Sequence, residues 1–205
     1  MYTGITRGTY PITSVDRNRG LLTYVVELDA DLSAGLEPGA SISIDGVCQT
    51  VTAVSGASVE IDAIPETLDR STLDDLEIGR RVSVERSARV GDEVGGHDIA
   101  GHVNGTGVVS ASYRQDGETS LRIDVPLGWM DAIFEKGFIA VDGSSLTVSE
   151  IDRAGDVGRF SIHLIPETLR RTNLGDKGVG DRLNIELDAR TVAIVRTVER
   201  VLEAR

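Results

Sequence analysis

The pentapeptide Ile64-Pro65-Glu66-Thr67-Leu68 returns as Ile165-Pro166-Glu167-Thr168-Leu169. Working outward, the match continues at the same spacing. Arg70-Ser71-Thr72-Leu73 falls on Arg171-Thr172-Asn173-Leu174, and "GRRVSVERSAR" (79–89) falls on "GDRLNIELDAR" (180–190). Upstream the spacing is four residues shorter: "IDGVCQTV" (44–51) falls on "VDGSSLTV" (141–148), and "GITRGT" (4–9) on "GHVNGT" (101–106). The change of spacing places an insertion near Arg153-Ala154-Gly155-Asp156. Self-similarity of this kind marks a duplicated unit, and two copies are too few for a solenoid. The chain therefore reads as two copies of one domain of roughly 90 residues. The seam is expected near Gly95-Gly96-His97, a glycine-rich break read as a linker.

Each copy reads as mostly β. In "SISIDGVCQTVTAV" and "FIAVDGSSLTVSEI", Asp-Gly separates alternating apolar runs, a strong hairpin signal. "ASVEIDAI" and "RFSIHLI" read as strands running into the repeated Ile-Pro-Glu-Thr-Leu turn, whose proline fixes φ and restricts its neighbour. "RVSVERS" and "RLNIELD" read as closing strands. Short strands joined by turns predict a small antiparallel barrel in each half. The tail differs. Thr191, Val195, Val198 and Leu202, with Ile194 and Val201 beside them, form the apolar seam of a helix. That seam suits either the chain's own barrel or the same helix in other subunits.

Of 205 residues, 40% are hydrophobic, enough to build cores. The net charge of −12 argues against binding a nucleic-acid backbone. No apolar run of ~18 residues and no charged-then-apolar start is present, so neither membrane spanning nor secretion is expected. A single Cys48 excludes an intrachain disulfide and points to a cytoplasmic location. Only Lys136 and Lys177 are lysines. The acidic, lysine-poor surface fits either a salt-rich cytoplasm or a GC-rich genome.

Three polar elements recur in each half. One is a glycine-led segment, Gly4-Ile5-Thr6 or Gly101-His102-Val103. The second follows the Asp-Gly turn, Cys48-Gln49-Thr50 or Ser145-Leu146-Thr147. The third is the repeated pentapeptide. Exposed backbone N–H and C=O groups can read a flat heterocycle with amide-like edges, while Ser and Thr hydroxyls bind a polyol. Because each half carries all three elements, an isolated N-terminal half is expected to bind ligand alone. His97 reads as a linker residue. His97 and His102 make a weak metal pair, having no accompanying carboxylate or cysteine cluster. A flavin-dependent reductase would need a nucleotide-phosphate site, and neither a glycine-rich dinucleotide fingerprint nor a basic cluster is found.

The chain closely resembles the riboflavin synthase alpha-chain family. The matching stretches are "TGI", "GASISIDGVCQTV", "IPETL" before "STL", "GGHDIAGH" before "VNGTG", "KGFIAVDGSSLTV", "HLIPETLRRTNLG", "LNIELD" and "TVERVL". The resemblance implies a mainly β fold of two homologous six-stranded antiparallel Greek-key barrels and a C-terminal helix. Residues 1–95 and 96–190 would be lumazine-binding barrels and 191–205 an oligomerisation helix that makes a homotrimer. It implies a transferase for the last step of riboflavin biosynthesis. Two 6,7-dimethyl-8-ribityllumazine molecules yield riboflavin and 5-amino-6-(D-ribitylamino)uracil, with no cofactor and no metal. One pteridine sits in each barrel, and the active site forms where barrels of two subunits meet. The duplicated site then matches a reaction between two copies of one substrate. The other reading is a non-catalytic lumazine or flavin carrier, but a carrier needs only one good site and both halves keep their motifs.

The same resemblance assigns residues. Cys48, His102 and Ser145 are the catalytic candidates. Cys48 reads either as a nucleophile or proton shuttle, or as a small buried hydrophobe. His102 titrates in a useful range for moving a methyl proton, although a lone His on a strand is also often structural. Gly4, Ile5, Thr6, Ser41, Cys48, Gln49, Thr50, Asp62, Ala63, Ile64, Pro65, Glu66 and Thr67 are substrate-binding candidates in the first half. Gly101, His102, Val103, Lys136, Ser145, Leu146, Thr147, His163, Leu164, Ile165, Pro166, Glu167, Thr168 and Asp188 are those of the second. Lys136 matches a binding-site lysine of the family, and His163 would offer backbone groups. Departures from the family pattern are Tyr2 for Phe, Gln49 for Leu, Asn104 for Asp, and Ser144 for an apolar residue.

Overall fold

The structure, a computed structural model, describes residues 1–18, 20–115, 118–153 and 155–204. The first barrel is built from β1 (Gly8–Asn18), β2 (Leu21–Glu27), β3 (Ser41–Ile44), β4 (Val47–Ser55), β5 (Ser58–Ala63) and β6 (Arg81–Arg86). Short helices α1 (Ala30–Ser33) and α2 (Pro65–Arg70) lie in its connections. The second barrel repeats the plan with β7 (Gly105–Gln115), β8 (Glu118–Pro126), β9 (Phe138–Val141), β10 (Ser144–Asp152), β11 (Val157–Leu164) and β12 (Arg182–Leu187). It carries α3 (Pro166–Arg171) and ends in α4 (Ala189–Glu203). Each barrel closes in the same antiparallel order, β1-β2-β5-β4-β3-β6 in the first and β7-β8-β11-β10-β9-β12 in the second. Closure leaves no free sheet edge. The expected insertion falls in the β10–β11 connection, where Ala154 lies outside the described residues.

Both Asp-Gly pairs make the two-residue turns read from the sequence. Ile44 pairs with Val47 and Val141 with Ser144. The turn residues have φ of 44° and 83° at Asp45-Gly46, and 43° and 80° at Asp142-Gly143, as a type I′ hairpin demands. The two turns pack backbone to backbone. A Cβ on Gly46 would lie 2.4 Å from the Gly143 nitrogen, so glycine is required for closeness as well as for φ. The repeated pentapeptide is more than a turn. Its proline is the first residue of a six-residue helix in each half, where a missing N–H costs nothing.

Each barrel has its own apolar core. Ile42, Ile44, Val51, Ile61 and Val84 pack in the first, and Ile139, Val141, Val148, Ile162 and Ile185 in the second. Between the barrels a buried polar network sits beside a small apolar cluster of Tyr2, Ile99 and Ala140. Asn184 Nδ2 donates to the Asp45 carbonyl at 2.8 Å, and its Oδ1 accepts from Thr72 N–H at 2.8 Å. Its repeat partner Ser83 bonds Asn173, the repeat partner of Thr72. Buried Asp45 accepts from Ser83 N–H at 2.6 Å and Asn173 Nδ2 at 2.9 Å, and meets Arg80 at 3.3 Å. Buried Asp142 is paired with Lys177 at 3.1 Å. Satisfied networks of this kind select one register between surfaces, since slippage strands buried polar groups.

Burial, and the nearby Asp142 charge, push the Asp45 carboxyl up to about 6 against the pull of Lys177 and Arg80. A raised carboxyl binds its proton more tightly in the folded chain than in the unfolded one. Its contribution is therefore present below the unfolded value near 4 and is lost as pH rises through about 6. Urea midpoints taken from pH 4.5 to 7.5 should fall less steeply with pH in Asp45→Asn than in the wild-type chain. Parallel curves would show that Asp45 does not titrate in this window.

Candidate active site

The chain's opening segment and the segment after the seam pair with each other and then part. Tyr2 N–H donates to the Ile99 carbonyl at 2.7 Å and Ile99 N–H to the Tyr2 carbonyl at 3.1 Å. Buried Glu85 accepts from Thr3 N–H and hydroxyl, both at 2.8 Å, and from Gly4 N–H at 3.1 Å. Its repeat partner Glu186 accepts from Ala100 N–H at 2.7 Å and Gly101 N–H at 2.9 Å. Burial holds both carboxyls above their usual range, opposed by these N–H donors. Each segment crosses to the other barrel. Ser145 N–H donates to the Gly4 carbonyl at 2.9 Å, and Cys48 N–H to the Gly101 carbonyl at 2.8 Å.

Two equivalent cavities result. One of about 190 Å³ is lined by Val47, Cys48, Ile64, Glu66, Thr67 and Arg70 of the first barrel, with Gly101, His102 and Val103 crossing in. The other, of about 340 Å³, is lined by Ser144, Ser145, Leu146, Ile165, Glu167, Thr168, Arg171 and Thr172, with Gly4, Ile5, Thr6 and Arg7 crossing in. The three repeated elements do converge, but the glycine-led one comes from the other half. This corrects the expectation of a complete site within the isolated N-terminal half: its cavity wall needs residues 101–103. The approach is close enough to exclude side chains. A Cβ on Gly101, at φ +79°, would lie 2.6 Å from the Cys48 Cβ, and one on Gly4, at φ +76°, 2.5 Å from the Ser145 Cβ.

His97 also departs from expectation. It is no linker residue: it is buried, stacks on Phe138 with ring centroids 5.1 Å apart, and places Nδ1 2.6 Å from the Ser145 hydroxyl. Burial lowers its pKa, against the opposing charges of Asp188 and Asp98, which favours the neutral ring that can take a proton from Ser145. Gly96 packs beneath it, where a Cβ would stand 2.3 Å from the Thr3 carbonyl oxygen. The signal missed in the sequence was adjacency: the glycines of "GGH" read as flexibility and serve close packing.

Other predicted residues fall outside the cavity walls. Gln49 points inward with Val47 and Val51, and its Nε2 donates to the Cys48 carbonyl at 2.8 Å, so its side chain is not offered to a ligand. Thr50 and Thr147 are exposed on the faces that carry Cys48 and Ser145, and Ser41 pairs with Thr50 across the sheet. Asp62 is exposed and accepts from Thr23 at 2.5 Å, while Ala63 and Leu164 are buried in their cores. Pro65 and Pro166 start α2 and α3. The His163 side chain lines a separate outer depression with Tyr113, Ser120 and Glu150. Asp188 caps α4 by accepting from Thr191 N–H and hydroxyl, each at 2.7 Å.

Lys136 is exposed, at φ +63°, where the sibling half has Gly39 at φ +90°; Lys136 N–H donates to the Val148 carbonyl of β10 and Gly39 N–H to the Val51 carbonyl of β4, each at 2.8 Å. In the second cavity, Arg170 and Arg171 hold Glu167 down at about 2, so it stays ionised. Of the departures from the family pattern, Ser144 hydroxyl lies 3.1 Å from Thr6 of the crossing segment and Asn104 Oδ1 accepts from Leu187 N–H at 2.8 Å. A larger cavity of about 390 Å³ lies against Thr72, Asp75, Arg80, Lys177 and Arg182. It contains none of the duplicated site elements, and its cations are engaged by Asp45, Asp142, Asp74 and Asp75.

Residues 3–87 and 100–188 each match the lumazine binding domain family. The riboflavin synthase of Escherichia coli K12 is 45% identical over 206 residues, covering 100% of this chain and 95% of the relative. That of Buchnera aphidicola subsp. Schizaphis graminum is 38% identical, covering 99% of this chain and 96% of the relative. Among solved structures, LumP complexed with riboflavin superposes with a TM-score of 0.83 at 24% identity, covering 91% of this chain and 99% of that one, and supports the fold. With two family matches that each take in one barrel and the segment it sends to the other, and full-length relatives that are riboflavin synthases, the chain belongs to the riboflavin synthase family.

Proposed function

We propose that this enzyme converts two 6,7-dimethyl-8-ribityllumazine molecules into riboflavin and 5-amino-6-(D-ribitylamino)uracil, without cofactor or metal. The observation that carries the reading is the pair of matching cavities, each with a crossing glycine segment, a Cys48 or Ser145 position and a Thr67 or Thr168 helix. A reaction between two copies of one substrate needs two such cavities. A carrier needs one. Donor and acceptor are the same compound, so electrons balance without an external redox partner. The electron-poor ring makes the C7 methyl acidic, and its deprotonated form spreads charge over the ring. Stacking two rings in register supplies effective concentration. N–H and hydroxyl donors at the cavity edge stabilise the delocalised anion.

In this reading Cys48, His102 and Ser145 carry proton transfer or addition, with His97 acting on the Ser145 hydroxyl. Gly4, Thr6, Gly101, Val103, Thr67 and Thr168 hold ring edges and ribityl hydroxyls, and Lys136 supplies a cation. The two cavities share no lining residue. We therefore place the working active site between the first barrel of one copy and the second barrel of another, held in a homotrimer by α4. In support, α4 has no buried residue, and Ile194, Val198, Val201 and Leu202 are all more than half exposed. The working division is 1–95, 96–190 and 191–205, in the cytoplasm, where Cys48 stays reduced.

The direct test is incubation of purified protein with the lumazine alone; binding without riboflavin formation would favour a carrier. Cys48→Ser and His102→Gln should each lower turnover by roughly tenfold or more, within the range of lost acid–base catalysis, while lumazine affinity changes about twofold. Single-turnover rates and fluorescence titration separate the two effects. Wild-type turnover in both variants would assign these residues to structure.

A further inference from the structure

Tyr2 stands behind the first cavity rather than in its wall. Its ring is 1% exposed, and its hydroxyl donates to the Cys48 Sγ at 3.2 Å. The backbone on either side is fixed, by the paired bonds to Ile99 and by Glu85 on Thr3. Gly101 is pressed between the two side chains: a Cβ there would meet both Cys48 Cβ at 2.6 Å and Tyr2 Cε2 at 2.9 Å. The ring is therefore confined beside the sulfur.

The repeat shows that this contact is not a by-product of the duplicated fold. Ile99 occupies the position equivalent to Tyr2, and an isoleucine has no donor for Ser145. In that half the polar partner is His97, whose Nδ1 lies 2.6 Å from the Ser145 hydroxyl. The two halves thus differ at the paired position itself: thiol with phenol in one cavity, hydroxyl with imidazole in the other.

We propose that Tyr2 is a positioning residue for Cys48, its hydroxyl holding the sulfur against the cavity wall and stabilising it when it carries negative charge. A charged acceptor binds a donor about twice as strongly as a neutral one. Tyr2 itself stays protonated: burial, then the Cys48 contact, hold its phenol far above the usual range. It remains a donor throughout, and no proton leaves it. The role in turnover rests on the reaction proposed above; the role toward the thiol does not.

The test is Tyr2→Phe, which removes one oxygen from the intact chain, read by two measurements. Alkylation of Cys48 by iodoacetamide, with Cys48→Ser as the blank, should slow about tenfold at pH 7 and recover at pH 9.5. With lumazine as substrate, kcat should fall roughly fivefold to tenfold with KM within about twofold, and Tyr2→Phe should have no added effect in a Cys48→Ser background. Unchanged alkylation at pH 7 overturns the proposal, whether or not riboflavin is made. Slowed alkylation with wild-type kcat overturns the role in turnover. Additive losses in the double variant overturn action through Cys48. If the wild-type protein makes no riboflavin, the reaction reading fails and the alkylation measurement still decides the contact.

Discussion

Replacing Gly101 with alanine should abolish the first cavity, and replacing Gly4 should abolish the second. In each case lumazine binding should fall from two equivalents per chain to one, and riboflavin formation should drop by at least about a hundredfold. Two costs act together. Alanine in the left-handed region costs roughly 1–2 kcal/mol. The new Cβ also has no room, at 2.6 Å from Cys48 Cβ or 2.5 Å from Ser145 Cβ. Those contacts lie on core-anchored strands, so the crossing segment is the part that must move. Moving it breaks the bond from Cys48 N–H or Ser145 N–H that closes the cavity wall. A reaction that uses both cavities then loses one reactant site entirely. Titration by lumazine fluorescence gives the stoichiometry and the dismutation assay the rate. Two equivalents bound by Gly101→Ala would refute the exchanged-segment account. The same account predicts that a chain ending at residue 95 binds poorly, while one that includes 101–103 regains affinity.

Deletion of Thr191–Arg205 should yield a smaller species in sedimentation, with both barrels folded and activity that rises with protein concentration. Within one chain α4 is held along one side of its first turns, where Val192 packs on the second core, Val195 is half-buried in a crevice with Trp129 and Ala132, and Asp188 caps the helix. Four other apolar side chains face outward: Ile194 is 65% exposed, Val198 51%, Val201 52% and Leu202 62%. Burying the exposed half of such a side chain contributes roughly 1 kcal/mol, and three matching helices multiply the gain. The truncated chain keeps the residues of both cavities, so lumazine binding should persist at low affinity cost. Full specific activity from a dilute truncated monomer would overturn the trimer and the active site shared between copies.

The duplicated architecture was readable because its signals are local. Asp-Gly turns, period-two alternation and a proline opening a short helix act within a few residues, and they recur in both halves. β3–β6 and β9–β12 follow from them directly. β1 does not: Ile12 is its buried position amid exposed and half-buried neighbours, and a register shift between Ile12 and Ser14 breaks the period. The tail seam was legible as a helix, because three-to-four spacing is also a local property.

Which half each glycine segment completes was not legible. Residues 4–6 and 101–103 carry the same pattern, so a chain in which each stays on its own barrel has the same local reading as one in which they exchange. The exchange rests on Glu85, Glu186, the Tyr2–Ile99 pair and the buried Asp45–Asn173 and Asp45–Asn184 bonds. These contacts join residues distant in sequence, and their free energy appears only when both barrels are folded against each other. His97 shows the same limit. A glycine pair before a histidine permits either a loose linker or a tight approach, and only the space left by Thr3 and Ser145 selects the second. Local chemistry dictated two barrels and a helix, while packing between them dictated which residues meet to form each cavity.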